Sequence, residues 1–491
     1  MLWGCFLLAP GQREDLTFCI GDAKECSLHG FGRTVLPTLE EDVMRPWWRL
    51  LSLCSVALGA CYAIRTARPE GPVTLTVIWH AGNLADLLIE TSKEYTSQTG
   101  VQIRGVFPPM SQAWTDAIAR EFATHGSTFD LVVFDSQEMS EYAAQGHVEL
   151  LNPRLESSTK LKASDFDEFA LRQYAEYPEG SHNLYALPIN QDCMGLVYRR
   201  DLFDDPKERA AFQMSYKRPL AIPETYDQML EIAAFFTRPS QNLWGIALYG
   251  SEDYDACTTP FNCILWSYGG ELWDPRTGRV NGLLNSAGAV NALTVYRKLF
   301  DYAPQGARNW YAPEVNQAVE DGRVAMAMNW YYFFGAYLDP AKSKVSSHVG
   351  FAPLPGAIGV DGKYRRYVGV GGQGVSISTY STHRDEAWKF LEWFMSEERQ
   401  WKWVAGGGKT GRVSILKDPK FLEATPYNDS FLRSMHMTKD YWHLPEYHEL
   451  LAVYQKYVHT VVVGRMSPTA ALDRCAHDHE AILRTAGHPG R

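Results

Sequence analysis

The chain has 491 residues, enough for two or three domains. It is 45% hydrophobic and 21% charged, an ordinary globular composition. Its net charge of −10 argues against nucleic acid or an anionic membrane surface as the main partner, and its nine cysteines include no CxxC pair, which argues against a zinc ribbon.

Residues 1–43 show no sustained period of 2 or 3.6. The segment 44–61 reads as a leader. Met44-Arg45-Pro46-Trp47-Trp48-Arg49 is a basic start, and Leu50 to Ala60 is an apolar run. The run is too short to cross a bilayer as a helix and has the length of a secretory signal. A signal begins a protein, so Met44 is the expected start and 1–43 a spurious or disordered extension. Leu58-Gly59-Ala60-Cys61 closes the apolar run and resembles a bacterial lipoprotein box, which implies lipidation at Cys61. Ordinary cleavage nearby, giving a free periplasmic protein, is the alternative. Residues 62–72 read as a tether.

A strand is expected at Leu75–Trp79, then a helix with Leu84, Leu87, Leu88 and Tyr95 on one face and Gly100 as its stop. Val101–Phe107 is a second strand, and Trp114, Ala117, Ile118 and Phe122 mark the next helix. Phe129–Asp135 is a continuous apolar run suited to a buried parallel strand, followed by a helix ending at Gly146. This alternation implies a parallel sheet with helices on both faces. Ligands bind such sheets at the carboxyl ends of strands, which places Trp79, His80, Asp135 and Ser136 at a rim. Capping the next helix is the competing role for the Asp and Ser.

The pattern restarts near Pro188. Strands are expected at Asp192–Arg200, Leu243–Tyr249, Val324–Asn329 and Tyr367–Ser378. Helices are expected from Pro223, at 261–268 and at 286–302. One helix face runs through Ala387, Leu391, Phe394 and Trp401. Tyr447, Leu451, Tyr454, Val458 and Val461 mark another helix, and Ser467-Pro468 opens a last one.

Two glycine-rich stretches imitate nucleotide motifs. Gly406-Gly407-Gly408-Lys409-Thr410 lacks the first glycine of a phosphate loop, because Trp403 stands there, and it follows a helix rather than a strand. Gly369-Val370-Gly371-Gly372-Gln373-Gly374 matches GxGxxG but leads into the strand Val375–Ser378, so no helix N-terminus awaits a pyrophosphate. Cys257 and Cys263 are placed either to close a small disulfide loop or to stay reduced and buried. Of Cys475, His477 and His479, only the first and last share a helix face, so no metal site is expected. No GxSxG or HExxH motif is present.

Several segments in order resemble a known family. They are LTVIWHAGNLADLL, FDLVVFDSQEMSEYAAQGHVELLNP, YALPINQDCMGLVYRRDLFDDP, IPETYDQML, VEDGRVAMAMNWYYFF, VGFAPLPG with VGVGGQGVSIS, and EAWKFLEWFMSEERQ leading to GGGKTGRVSIL. Over about residues 73–486 the chain resembles the extracellular solute-binding proteins of bacterial ABC importers, in the carbohydrate-binding group that includes maltose-binding protein. The resemblance implies an α/β, two-lobed periplasmic-binding-protein fold, each lobe a mainly parallel sheet flanked by helices, joined by hinge strands. Crossings are expected near Pro188–Asp192, Gly322–Val324 and Gly371–Ser376. Lobe one would be 73–190 plus 324–374 and lobe two 191–323 plus 375–491, with GGGKTGRVS a cleft-edge loop of the second lobe.

The implied function is capture of a sugar or polyol by hinge closure and delivery to a membrane permease, without catalysis, cofactor or metal. The protein would be exported, periplasmic or lipid-anchored through Cys61, and monomeric. Sugars need flat aromatics for their C–H faces and carboxylates, amides or arginine for their hydroxyls. At positions matching the family's cleft stand Trp330 and Tyr332 as platforms, Asp192 on the first crossing strand, and Phe134 and Asp135 at the rim. Trp79, His80 and Asn83 follow the first strand. Trp266 and Tyr268 end a helix facing the cleft, and Gln373 and Arg412 complete the set. Trp330-Tyr331-Tyr332 and Phe134 depart from maltose-binding protein, which argues against maltose itself. The rival reading is a secreted glycoside hydrolase or lyase, with Asp135 and Asp192 as its carboxylate pair.

Overall fold

The computed structural model describes residues 72–488. The leader, Cys61, the tether to residue 71 and the 1–43 extension lie outside the described residues. β1 (Thr74–Ile78) is buried almost throughout, and the helix Asn83–Thr99 that follows buries Leu84, Leu88 and Tyr95. Gly100 ends that helix at φ 77°, and its N–H donates to Thr96 O at 2.9 Å, as its glycine stop predicts. β2 (Gln102–Val106), the helix Gln112–Ala123 and β3 (Leu131–Asp135) repeat the unit, and β3 is buried at every position.

β1 pairs in parallel with both β2 and β3. The 13-residue β4 (Leu187–Arg199) then crosses the molecule. It starts five residues before the expected Asp192. Residues Leu187–Cys193 of β4 pair antiparallel with β10 (Val368–Ile377), which itself pairs antiparallel with β3. Residues Met194–Arg199 pair instead with β6 (Val324–Trp330) on one side and β7 (Val349–Pro353) on the other. β5 (Trp244–Ala247) lies parallel to β6, while β8 (Ala357–Ile358) and β9 (Tyr364–Arg365) pair antiparallel as a separate two-stranded sheet. The sheet is therefore a mixed, curled one with order β2-β1-β3-β10-β4-β6-β5, and β4 belongs to both of its portions. This is the two-lobed periplasmic-binding-protein architecture.

The strand partners show the path of the chain past the expected crossings. β6 continues a parallel β5–β6 unit and pairs with the far half of β4, so the strand after Gly322–Val324 lies beside β5 and β4. β10 reaches β3 at Gln373–Ile377, and the helices Arg384–Phe394 and Glu397–Ala405 pack on the helix Asn83–Thr99. The chain after residue 375 thus packs beside β3 and the helix Asn83–Thr99. The helix Asn428–Met435 packs on β4 and β7.

The single helix face read through Ala387 and Trp401 belongs to two helices, broken where Ser396 is extended (φ −62°, ψ 149°). Gly406 caps the second of them. Tyr447–Val462 and Pro468–Thr485 form as expected, the latter capped by Ser467. Cys257 and Cys263 are free and buried. The Cys257 thiol donates to Gln455 Oε1 at 2.9 Å, and Cys263 Sγ accepts from the Gly369 N–H at 3.0 Å. Among the described residues no helix is long and apolar enough to cross a membrane.

Candidate functional site

Strand ends and crossing strands meet around one internal cavity. His80 follows β1, Asp135 ends β3, Asp192 is central in β4, Trp330 ends β6, and Gly371 to Gln373 lie central in β10. Trp114, Tyr254, Asp255 and Tyr311 close the walls. The cavity holds about 40 Å³, room for only a few waters, so entry of a larger solute requires the lobes to part.

Glycine shapes the floor. A Cβ on Gly371 would lie 2.6 Å from the Trp330 ring, so only glycine lets the indole rest on the crossing strand. Gly372 has φ +98°, and a Cβ there would lie 2.4 Å from Asn190 O. The GxGxxG stretch thus serves close approach of two backbones and a ring.

Three carboxylates face this space, each more than nine-tenths buried. Asp135 sits opposite Gln373 in register and accepts from Gln373 Nε2 at 2.6 Å and from the Tyr254 hydroxyl. Burial pushes its pKa up to about 7, against the Tyr254 hydrogen bond. Asp192 accepts from the Tyr332 N–H at 3.1 Å, and burial raises it to about 6 while Lys409 pulls the other way. Asp255 accepts from Tyr311 and Thr259 hydroxyls at 3.0 Å each and is raised by burial to about 6. His80 is held down to about 4 by burial, so it is neutral at pH 7, and its Nδ1–H donates to Ala81 O at 3.1 Å. Asp192 Oδ1, Gln373 Oε1 and Trp114 Nε1 have no partner among the protein groups.

Of the residues expected at the site, the structure gathers His80, Asp135, Asp192, Trp330, Tyr332 and Gln373 around this cavity. It places the others elsewhere. Trp79 stacks on Trp403 at 6.1 Å between centroids, and Phe134 packs edge-on to Tyr142 in the core. Both are next-door neighbours of a lining residue, and successive side chains of a strand point to opposite faces, so only one of each pair can face the cleft. Asn83 begins its helix and borders a separate cavity on the other side of Tyr332. Trp266 lines a groove with Trp273 and Lys439, and the buried Tyr268 donates to Asp227 at 3.2 Å. Arg412 is structural. Its guanidinium donates to Met395 O at 2.7 Å and reaches Asp165 at 3.7 Å.

The loop Gly406–Gly411 does not line the cavity either. It grips β4 from behind: Gln191 N–H donates to Lys409 O at 2.8 Å, and Lys409 N–H to Asn190 Oδ1 at 2.8 Å. The Lys409 ammonium is buried, donates to Tyr331 O at 3.3 Å, and lies over the rings of Tyr427 and Phe431.

Trp114, Tyr254, Asp255 and Tyr311 were not expected at the site. Trp114 was read only as the buried face of its helix. Tyr254 and Asp255 follow the carboxyl end of β5, where the rim rule used for β1 and β3 applies equally.

A cavity of aromatic rings and carboxylates, at strand ends and under two crossing strands, defines a hinged solute-binding protein. The chain belongs to the bacterial extracellular solute-binding protein family, whose model matches residues 81–401. It is 22% identical over 411 residues to a probable amino-acid ABC transporter periplasmic-binding protein of Sinorhizobium fredii, covering 83% of this chain and 88% of that one. Among solved structures it resembles an ABC transporter solute-binding protein of Agrobacterium radiobacter K84 in complex with ribitol (TM-score 0.73, 24% identity, 84% of this chain and 100% of that one). It also resembles one of Agrobacterium vitis S4 with bound D-mannitol (TM-score 0.72, 20% identity, 85% and 99%). The family consists of binding proteins, which sets aside the hydrolase or lyase reading of Asp135 and Asp192.

Proposed function

We propose that the chain is the receptor of an ABC importer, capturing a sugar or polyol between its lobes and handing it to a membrane permease. One observation carries this reading. The cavity joins ring faces (Trp114, Trp330, Tyr332) to buried acceptors and donors that lack protein partners (Asp192 Oδ1, Gln373 Oε1, Trp114 Nε1). A solute with apolar C–H faces and hydroxyl edges satisfies both. The ribitol- and mannitol-bound proteins of the same architecture support the choice. An amino acid fits less well, despite the relative named for one. Its carboxylate needs a cation, and no Lys or Arg lines the cavity among the described residues.

Closure follows from differential affinity. The solute stabilises the form in which the lobes meet around it, with Asp135 of one lobe and Tyr254 of the other both in its wall. In this reading the first lobe comprises about 72–190 and 373–412, and the second about 194–370 and 428–488. Export by the 44–61 leader, anchoring through a lipid on Cys61 and action as a monomer complete the proposal. Trp330→Ala removes the platform resting on Gly371. We expect it to weaken the bound polyol by about 2 kcal/mol, roughly thirtyfold in Kd by calorimetry. An unchanged Kd would remove Trp330 from the site.

A further inference from the structure

We infer that the solute carries a positive charge: the cavity is built for an amine-bearing polyol or amino sugar. The inference rests on the sugar-receptor reading and narrows it. Three carboxylates, Asp135, Asp192 and Asp255, line a cavity that no Lys or Arg lines among the described residues. The only histidine lining it, His80, is buried and neutral. Asp192 is 4% exposed, and its Oδ1 has no hydrogen-bond partner.

The charges behind the walls do not restore the balance. Ser136 and Gln137 donate to Asp440 at 2.8 Å each, so a further carboxylate stands behind the Asp135 wall, with His443 3.0 Å from its Oδ2. Glu138 is fully buried, with His448 3.6 Å away. The Lys409 ammonium lies behind Asp192 and is held by Tyr331 O and two rings. Burial and carboxylate neighbours push the Asp135 pKa up, as they do wherever like charges share a site without a cation.

An ammonium inside the cavity would have carboxylates and aromatic rings together in its walls, the two features that hold organic cations. The unpaired Trp114 N–H still needs an oxygen acceptor, which the hydroxyls of the same solute supply.

The test is calorimetric titration of the purified protein at pH 7.5 with two matched pairs, sorbitol against 1-amino-1-deoxysorbitol and glucose against glucosamine, and with gluconate as the anionic control. The amine member of at least one pair should bind at least tenfold tighter than its hydroxyl partner, and gluconate should not bind. Asp192→Asn should erase the difference within that pair. Asp255→Asn should narrow it and serves if the first variant does not fold. If hydroxyl members bind as tightly as their amines or tighter, the inference fails and the sugar-receptor reading stands. If no member of either pair binds but ribitol or mannitol does, the inference alone fails; if these do not bind either, both fail.

Discussion

Lys409→Met should destabilise the fold by about 3 kcal/mol at pH 8, and by clearly less at pH 5. The ammonium is buried behind Asp192 and is the one charge that draws that carboxyl's pKa down against burial. Without it, the folded Asp192 must either keep an uncompensated charge or take up a proton, and protonation costs more as pH rises. Near pH 5 the carboxyl, whose pKa is about 6, is already mostly protonated, so little is lost. Lys409→Met combined with Asp192→Asn should regain most of the stability, because neither charge remains to be buried alone. Urea denaturation of the native protein, Lys409→Met, Asp192→Asn and the double variant at both pH values checks this. Equal losses at pH 5 and pH 8 would show that Lys409 acts through packing alone.

Asp135→Asn should gain stability relative to the native protein as pH rises. Burial holds the folded carboxyl at about 7, against its ordinary value of 3.8. Between those values the folded state holds a proton that the unfolded chain has lost. Native stability from this group is therefore greatest below pH 4 and falls as pH climbs to 7. Asparagine does not titrate. The variant-minus-native difference should move by about 4 kcal/mol in the variant's favour between pH 4 and pH 8. His80 and His479, both held down to about 4, have the opposite sign but titrate in both proteins and cancel. A flat difference across that window would mean that Asp135 is not buried as described.

The regular elements were legible where one residue type fixes an element's end or face. Gly100 in the left-handed region, Ser467-Pro468 at a helix start and the unbroken apolar run of β3 are cases. The strand partners were not legible. Val324–Trp330 reads as a buried strand in either lobe, and only its pairing with β5 and β4 decides which. The break at Ser396 left the helical period nearly intact on both sides, so two helices read as one.

The site divides in the same way. His80 and Asp135 follow from the rim rule, while Asp192, Trp330, Tyr332 and Gln373 came from the resemblance. Trp79 and Phe134 came with them because a strand buried on both faces gives no alternation to separate the cleft side from the core side. The Tyr254–Asp135 contact joins residues 119 positions apart, beyond any local pattern. Lys409 stands inside a glycine run expected as a cleft-edge loop, and only the packing of Tyr427 and Phe431 reveals its burial.

The central claim is that this cavity captures a polyhydroxylated solute and leaves it chemically unchanged. Thermal denaturation of the purified protein against a panel of sugars, amino sugars and polyols, ribitol and mannitol included, tests it most directly. At a hundredfold excess over Kd a true solute adds about 2.7 kcal/mol to the folded state. The account predicts that at least one member raises the midpoint by a few degrees and is recovered intact. A member that is consumed, or a panel that leaves the midpoint unmoved while amino acids raise it, would contradict the account.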